Sequence, residues 1–357
     1  MEKMKRKFGI ICGLSGILCL LWVFFNNISN GSVINEGVLN IEEKLIINKE
    51  IFCYFDPSRT DSIEPFNEKD ITGDNNIFFI ETSCFGDGGI VLDARQCCSI
   101  ESAAKMNPKM KIYLLILSPS NFAPSTQKLL THLEQYKNIV IRRIFMGDYV
   151  KNSPLEDWWA SGKFKTSNWP KHHMSDVLRF LTLWKIPGIY MDLDVVTLSS
   201  FENLRDFVGA EDLDTIASCV MSFGSSEIGR KIADACIDDL KNNFRGDIWR
   251  NNGPDVITRI LHKICQADAI ANMIDSCHGF TIFSPWEFTP IYYSNWKKYF
   301  EVKDKDETLK LINDSLAIHT WNKLSHSEPI KVGSPVPYGI IANQYCPKIY
   351  NNCGSWF

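Results

Sequence analysis

The chain has 357 residues, 45% of them hydrophobic and 12% aromatic, which is enough to bury a full core and too apolar for a disordered polymer. Its formal net charge of -4 offers no basic field to a polyanion, so nucleic acid is excluded as an expected partner.

In chain order, the first feature is a positive tail. Lys3, Lys5, Arg6 and Lys7 precede FGIICGLSGILCLLWVFF, residues 8–25. That uncharged run is about long enough to span a bilayer. It has no A-x-A-like site after it, so a signal anchor is expected rather than a cleaved leader. The charge asymmetry predicts residues 1–7 in the cytosol and everything from about residue 26 in a lumen, a single-pass type II arrangement. Asn27, Asn30 and Asn313 stand in N-x-[ST] sequons, and ten cysteines lie beyond the anchor. An even count in a secretory compartment favours disulfides, although buried free thiols are the alternative and the connectivity stays open. None of the cysteines has zinc-ligand spacing.

Residues 26–74 are polar and weakly patterned, as in a stem. Strands are then expected at 76–84, 111–118 and 139–145, and helices at 94–107, capped by Asp93 and stopped by Pro108, and at 125–136. Strands alternating with helices imply crossover connections and a mostly parallel sheet, the α/β class.

The segment SDVLRFLTLWKIPGIYMDLDVV, 175–196, carries the chemistry. Ser175 is expected at a helix start. Val177, Phe180, Leu181 and Trp184 form one apolar stripe, flanked by Asp176 and Arg179. Pro187 and Gly188 turn the chain into a strand ending at Asp192 and Asp194, which alternation would point to the same side. Two like charges buried together cost several kcal/mol unless something positive meets them. A divalent metal on a substrate diphosphate satisfies that demand at the end of a parallel strand.

YMDLDVV also satisfies the haloacid-dehalogenase phosphatase pattern, in which Asp192 would be the nucleophile. The longer context, however, resembles the S-D-x-x-R-x-x-x-L-x-x-x-G-G-x-Y-x-D-x-D signature of the α-1,4-glycosyltransferase family that includes lactosylceramide α-1,4-galactosyltransferase. FFIETSC (78–84), CSIESAAKMNP (98–108), PLEDWW (154–159), NNGPDVITRIL (251–261), NWKKYF (295–300) and AIHTWNK (317–323) extend the resemblance.

The resemblance implies a GT-A-type, Rossmann-like sheet over residues 75–357, with a D-x-D half to about 200 and an acceptor half from about 201 to 350. Asp192 and Asp194 would hold a divalent metal, manganese, on the donor diphosphate, with Tyr190 on the donor beside them. Asp176 would accept hydrogen bonds from donor-sugar hydroxyls, and Arg179 would steady the diphosphate or that aspartate. Asn252 falls where an acceptor-side catalytic residue is sought, Asp255 is a candidate helix cap, and His319 and Lys323 are candidates for metal or phosphate contact. Where the family has Gly-Gly before the tyrosine, this chain has Pro187-Gly188.

The implied reaction is retaining transfer of galactose, or N-acetylgalactosamine, from its UDP-sugar to a glycosphingolipid at the Golgi membrane. A covalent intermediate and front-face attack both stay open. A lumenal phosphatase and a catalytically idle glycan-binding relative are the alternatives. The aromatic segments 158–164 and 284–296 are ascribed to core packing before sugar or membrane contact.

Overall fold

The computed structural model describes residues 51–55, 63–274 and 277–357. The expected anchor, Asn27, Asn30 and most of the stem lie outside the described residues. Among the described residues no helix is long and apolar enough to cross a membrane.

The strands are β1 (Asn76–Glu81), β2 (Lys111–Ile116), β3 (Ile139–Arg143), β4 (Gly188–Met191), β5 (Val195–Thr197), β6 (Phe207–Ala210), β7 (Ile216–Phe223), β8 (Thr281–Phe283) and β9 (Ala317–His319). Seven form one sheet in the order β3-β2-β1-β4-β7-β6-β8, and β5 pairs separately with β9. β7 lies antiparallel to both of its neighbours, and every other pair in the large sheet is parallel. The result is the expected α/β architecture with one reversed strand. β1, β4 and β7 are buried along their whole length, as strands covered by helices on both faces must be.

The Ala94–Met106 helix begins in a full capping box, with Asp93 accepting from the Gln96 amide at 2.8 Å and Gln96 accepting from the Asp93 amide at 3.0 Å. It also organises the C-terminal segment. Arg95, 6% exposed, donates to the carbonyls of Ser325 and Glu328. Glu101, fully buried, accepts from the amides of Lys348 and Ile349 at the start of the Pro347–Tyr350 helix. Cys98 is disulfide-bonded to Cys346, 248 residues away. Cys53–Cys84 and Cys265–Cys277 are the other described disulfides. Cys97, Cys219 and Cys236 are buried free thiols, so both readings of the cysteines apply, each to different residues.

Three local expectations need correcting. Ser175 does not start its helix, which runs from Pro170 to Lys185. Pro170 occupies the first position, where its fixed φ and missing N–H cost nothing. No apolar period marks the first turns, yet His173 and Met174 are buried there by tertiary packing. The single expected stripe is also too narrow, because Asp176 through Leu183 are all buried. Asp255 is not a cap either: Gly253 holds that position, and Asp255, in the first turn, pairs with Arg250 at 3.2 Å.

At the start of β4, a Cβ on Gly188 would lie 2.8 Å from the Asn76 carbonyl and 2.9 Å from the Phe78 ring. Glycine is required there by the close approach of β4 to β1.

Candidate active site

β4 stops at Met191, so Asp192 and Asp194 lie on the turn leading into β5 rather than on the strand itself. Strand alternation therefore does not align them. The Asp192 amide still donates to Cys219 on β7 at 2.9 Å, and the Val195 amide closes the turn on the Asp192 carbonyl at 3.1 Å. The carboxylates converge because separate partners draw each one in.

Asp192 is gripped from the helix and sheet side. Arg179, 5% exposed, places Nη1 3.1 Å from Asp192 Oδ1 and Nη2 3.4 Å from Asp176 Oδ1. The same guanidinium donates to the Ser218 carbonyl at 2.7 Å and to Ser175 Oγ at 2.9 Å, and lies 4.7 Å from the Tyr190 ring centroid. Tyr190 donates to Asp192 Oδ1 at 2.6 Å, and its oxygen is 3.1 Å from Ser175 Oγ. These contacts occupy Oδ1 and leave Oδ2 of Asp192 without a protein partner among the described residues.

Asp194 is gripped by the C-terminal segment. His319 Nε2 is 3.1 Å from its Oδ1, and the Asn322 amide donates to Oδ2 at 2.8 Å. The amide and hydroxyl of Thr320 both donate to its carbonyl, at 2.9 and 3.0 Å. Pairing of β5 with β9 sets Val195 opposite His319 and fixes this register. Trp321 adopts a left-handed φ of 55° so that the chain can wrap the carboxylate, and its indole is tied to the Ile291 carbonyl at 2.7 Å.

The electrostatics differ accordingly. Burial raises the Asp192 pKa, with Arg179 opposing it. Burial also disfavours charge on Asp194, but His319 outweighs it and the pKa falls. For His319, burial works downward, and the Asp194 carboxylate more than reverses that, holding the imidazole well above its ordinary value. Asp176, 7% exposed, is pushed by burial up to about 7, against the attraction of Arg179.

One ligand atom each from Asp192, Asp194 and His319 lies within 4.8 Å of the others. Two carboxylates and an imidazole are a donor set suited to manganese or a similar divalent ion, and the open Oδ2 of Asp192 gives such an ion a ligand the protein does not use. The residues fit the group.

The remaining expected residues lie around this centre. Gly253 abuts Asp176 so closely that any Cβ would strike its carboxylate. Asn252 is fully buried, and its carboxamide brackets residue 245, accepting from the Arg245 amide at 2.9 Å and donating to its carbonyl at 2.7 Å. Lys323 is exposed, with Nζ 5.3 Å from the Trp249 ring centroid. Asn313 is exposed just after the Lys305–Ile312 helix. Trp158 is core, whereas Trp286 and Tyr293 are exposed.

Sequence reasoning missed Ser218, whose carbonyl anchors Arg179, and Glu211, just past β6, whose pKa is raised by burial against the pull of His319 and Arg250. Neither carries a local signal, since each acts through a strand distant in sequence.

Residues 93–211 match the glycosyltransferase sugar-binding region containing the DXD motif, and residues 225–353 match the alpha 1,4-glycosyltransferase conserved region. Mouse lactosylceramide 4-alpha-galactosyltransferase is 29% identical over 282 residues, 78% of this chain and 76% of the relative. The human protein of that name is 28% identical over 277 residues, covering 77% and 76%. Human alpha-1,4-N-acetylglucosaminyltransferase is 26% identical over 262 residues, covering 71% and 75%. These matches set the phosphatase alternative aside.

Proposed function

Taking as premise that the chain is a hexosyltransferase matching a DXD-containing glycosyltransferase sugar-binding region and the alpha 1,4-glycosyltransferase conserved region, we propose that it moves galactose from UDP-galactose to a glycosphingolipid such as lactosylceramide, retaining the α configuration. UDP-N-acetylgalactosamine is the second donor to test. The observation that carries this reading is the convergence of Asp192, Asp194 and His319 on one point. The relatives supply the choice of sugar and acceptor. The reading includes a GT-A-type catalytic domain anchored in the Golgi membrane by residues 8–25, facing the lumen, with Asn27, Asn30 and Asn313 as glycosylation sites.

Asp192, Asp194 and His319 would hold the divalent ion. Bound there, it would neutralise charge on the departing diphosphate, the main electrostatic demand of glycosyl transfer. Arg179 holds Asp192 and Asp176 in fixed relation through one rigid guanidinium, so that the metal side and the sugar side of the donor are positioned together. Asp176 accepts from donor-sugar hydroxyls, and Lys323 reaches the phosphates. Asn252 shapes the acceptor-side loop through its clamp on Arg245.

The test is UDP release by the full-length chain in detergent, from a panel of UDP-sugars with lactosylceramide, with and without manganese. We expect manganese-dependent release with UDP-galactose, abolished in Asp192→Asn and Asp194→Asn. Absence of release from every donor by the folded wild type would sink the proposal.

A further inference from the structure

Trp249 is 37% exposed and yet firmly held. The His172 ring lies 4.4 Å from it, Trp169 meets it edge-on at 5.4 Å, and its carbonyl accepts from His173 Nε2 at 3.3 Å. The loop beneath is closed by the Asn252 clamp on Arg245 and by Gly246, which packs against the backbone of Thr166 and Ser167. A large indole kept rigid and open to water is a surface prepared for a ligand with an apolar face and a polar edge.

Its position identifies the ligand. Four residues along the chain, Gly253 rests against Asp176. Across from the indole stands Lys323, next in sequence to Asn322, whose amide holds Asp194. The ring therefore lies beside segments of both arms that carry the donor-side carboxylates. We infer that Trp249 is the stacking platform for the acceptor hexose, and that Lys323 covers it until a donor diphosphate draws the ammonium away. An exposed cation–π contact is weaker than a charge-assisted hydrogen bond to phosphate, so the exchange runs toward the donor and uncovers the ring. Acceptor binding then follows donor binding. This inference rests on the transferase reading.

The experiment uses the full-length chain in detergent with UDP-galactose and methyl β-lactoside as a soluble acceptor probe. Trp249→Ala raises the acceptor KM about tenfold or more, and much more than it raises the donor KM, because an aromatic anchor is lost. Trp249→Phe, which still stacks, stays within about threefold of wild type on the same scale. Saturation-transfer NMR of methyl β-lactoside shows binding to wild type only when UDP and manganese are present, and to Lys323→Met without them. Equal rises in both KM values, a Phe variant no better than Ala, or equal lactoside binding with and without UDP in wild type would each overturn the inference. A wild type that releases no UDP instead overturns the transferase reading beneath it, so the two failures are distinct.

Discussion

Asp192 and Asp194 are two residues apart, yet they belong to different parts of the molecule. Asp192 is held by Arg179 and Tyr190, all within a stretch of 14 residues counted from 179 to 192. Asp194 is held by His319, Thr320 and Asn322, more than 120 residues away. The first grip is fixed wherever the helix and β4 fold against each other. The second requires the C-terminal segment to be brought back through Arg95, Glu101 and the Cys98–Cys346 disulfide. Their carboxylates shift in opposite directions as a result, upward for Asp192 and downward for Asp194. One arm of the proposed metal site is thus local in sequence, and the other is supplied by the C-terminal segment.

The largest effect comes from breaking the local arm at Arg179. Replacing it with methionine strands Asp176 and Asp192 as buried carboxylates without their cation, a change that costs about 3–5 kcal/mol. Thermal unfolding should show a loss of roughly 10 °C. A drop of only a degree or two would mean that water reaches these carboxylates freely and that the local arm is not the rigid one.

The next effect tests the distant arm. His319→Ala should weaken manganese binding by at least about tenfold, measured by paramagnetic resonance of free manganese, while thermal stability falls far less than in the Arg179 variant. The pH dependence follows from the sign of the shift. The His319 pKa is raised, so near neutrality the metal-free site carries a proton on the imidazole, and a metal at Nε2 must displace it. Apparent affinity therefore rises with pH, about tenfold per unit while that proton is present. In His319→Gln the slope falls by one proton. An unchanged slope would show that the imidazole is no ligand.

The contrast also explains what was legible in the sequence. Much of what local pattern builds was readable: the capped 94–107 helix, the apolar strands, and the S-D-x-x-R spacing that places Asp176 and Arg179 one helical turn apart. Lys111 to Ile116 forms β2 as its unbroken apolar run requires. Three features were hidden because tertiary contact decides them. The early helix start at Pro170 depends on His173 and Met174 packing inside. The aspartates' convergence depends on a turn and on partners rather than on strand alternation. The pairing of Cys98 with Cys346 spans nearly the whole domain, and nothing in its spacing points to it.

The smallest effect concerns Ser175, read from sequence as a helix start and found inside the helix. Its hydroxyl accepts from Arg179 Nη2 and lies within hydrogen-bond distance of Tyr190, which in turn donates to Asp192 Oδ1. With the direct Arg179–Asp192 contact this closes a ring, and a closed ring limits how Asp192 can rotate its free Oδ2 away from the metal position. Removing one member costs about 0.5–1.5 kcal/mol, so Ser175→Ala should weaken manganese binding about threefold and leave the His319-dependent pH slope intact. Ser175→Thr, which keeps the hydroxyl, should restore the affinity. If alanine lowers stability without changing manganese affinity, the hydroxyl packs the helix only, and Arg179 alone orients Asp192. If alanine is as damaging as the loss of Arg179, the local arm is one cooperative unit rather than a salt bridge with a supporting ring.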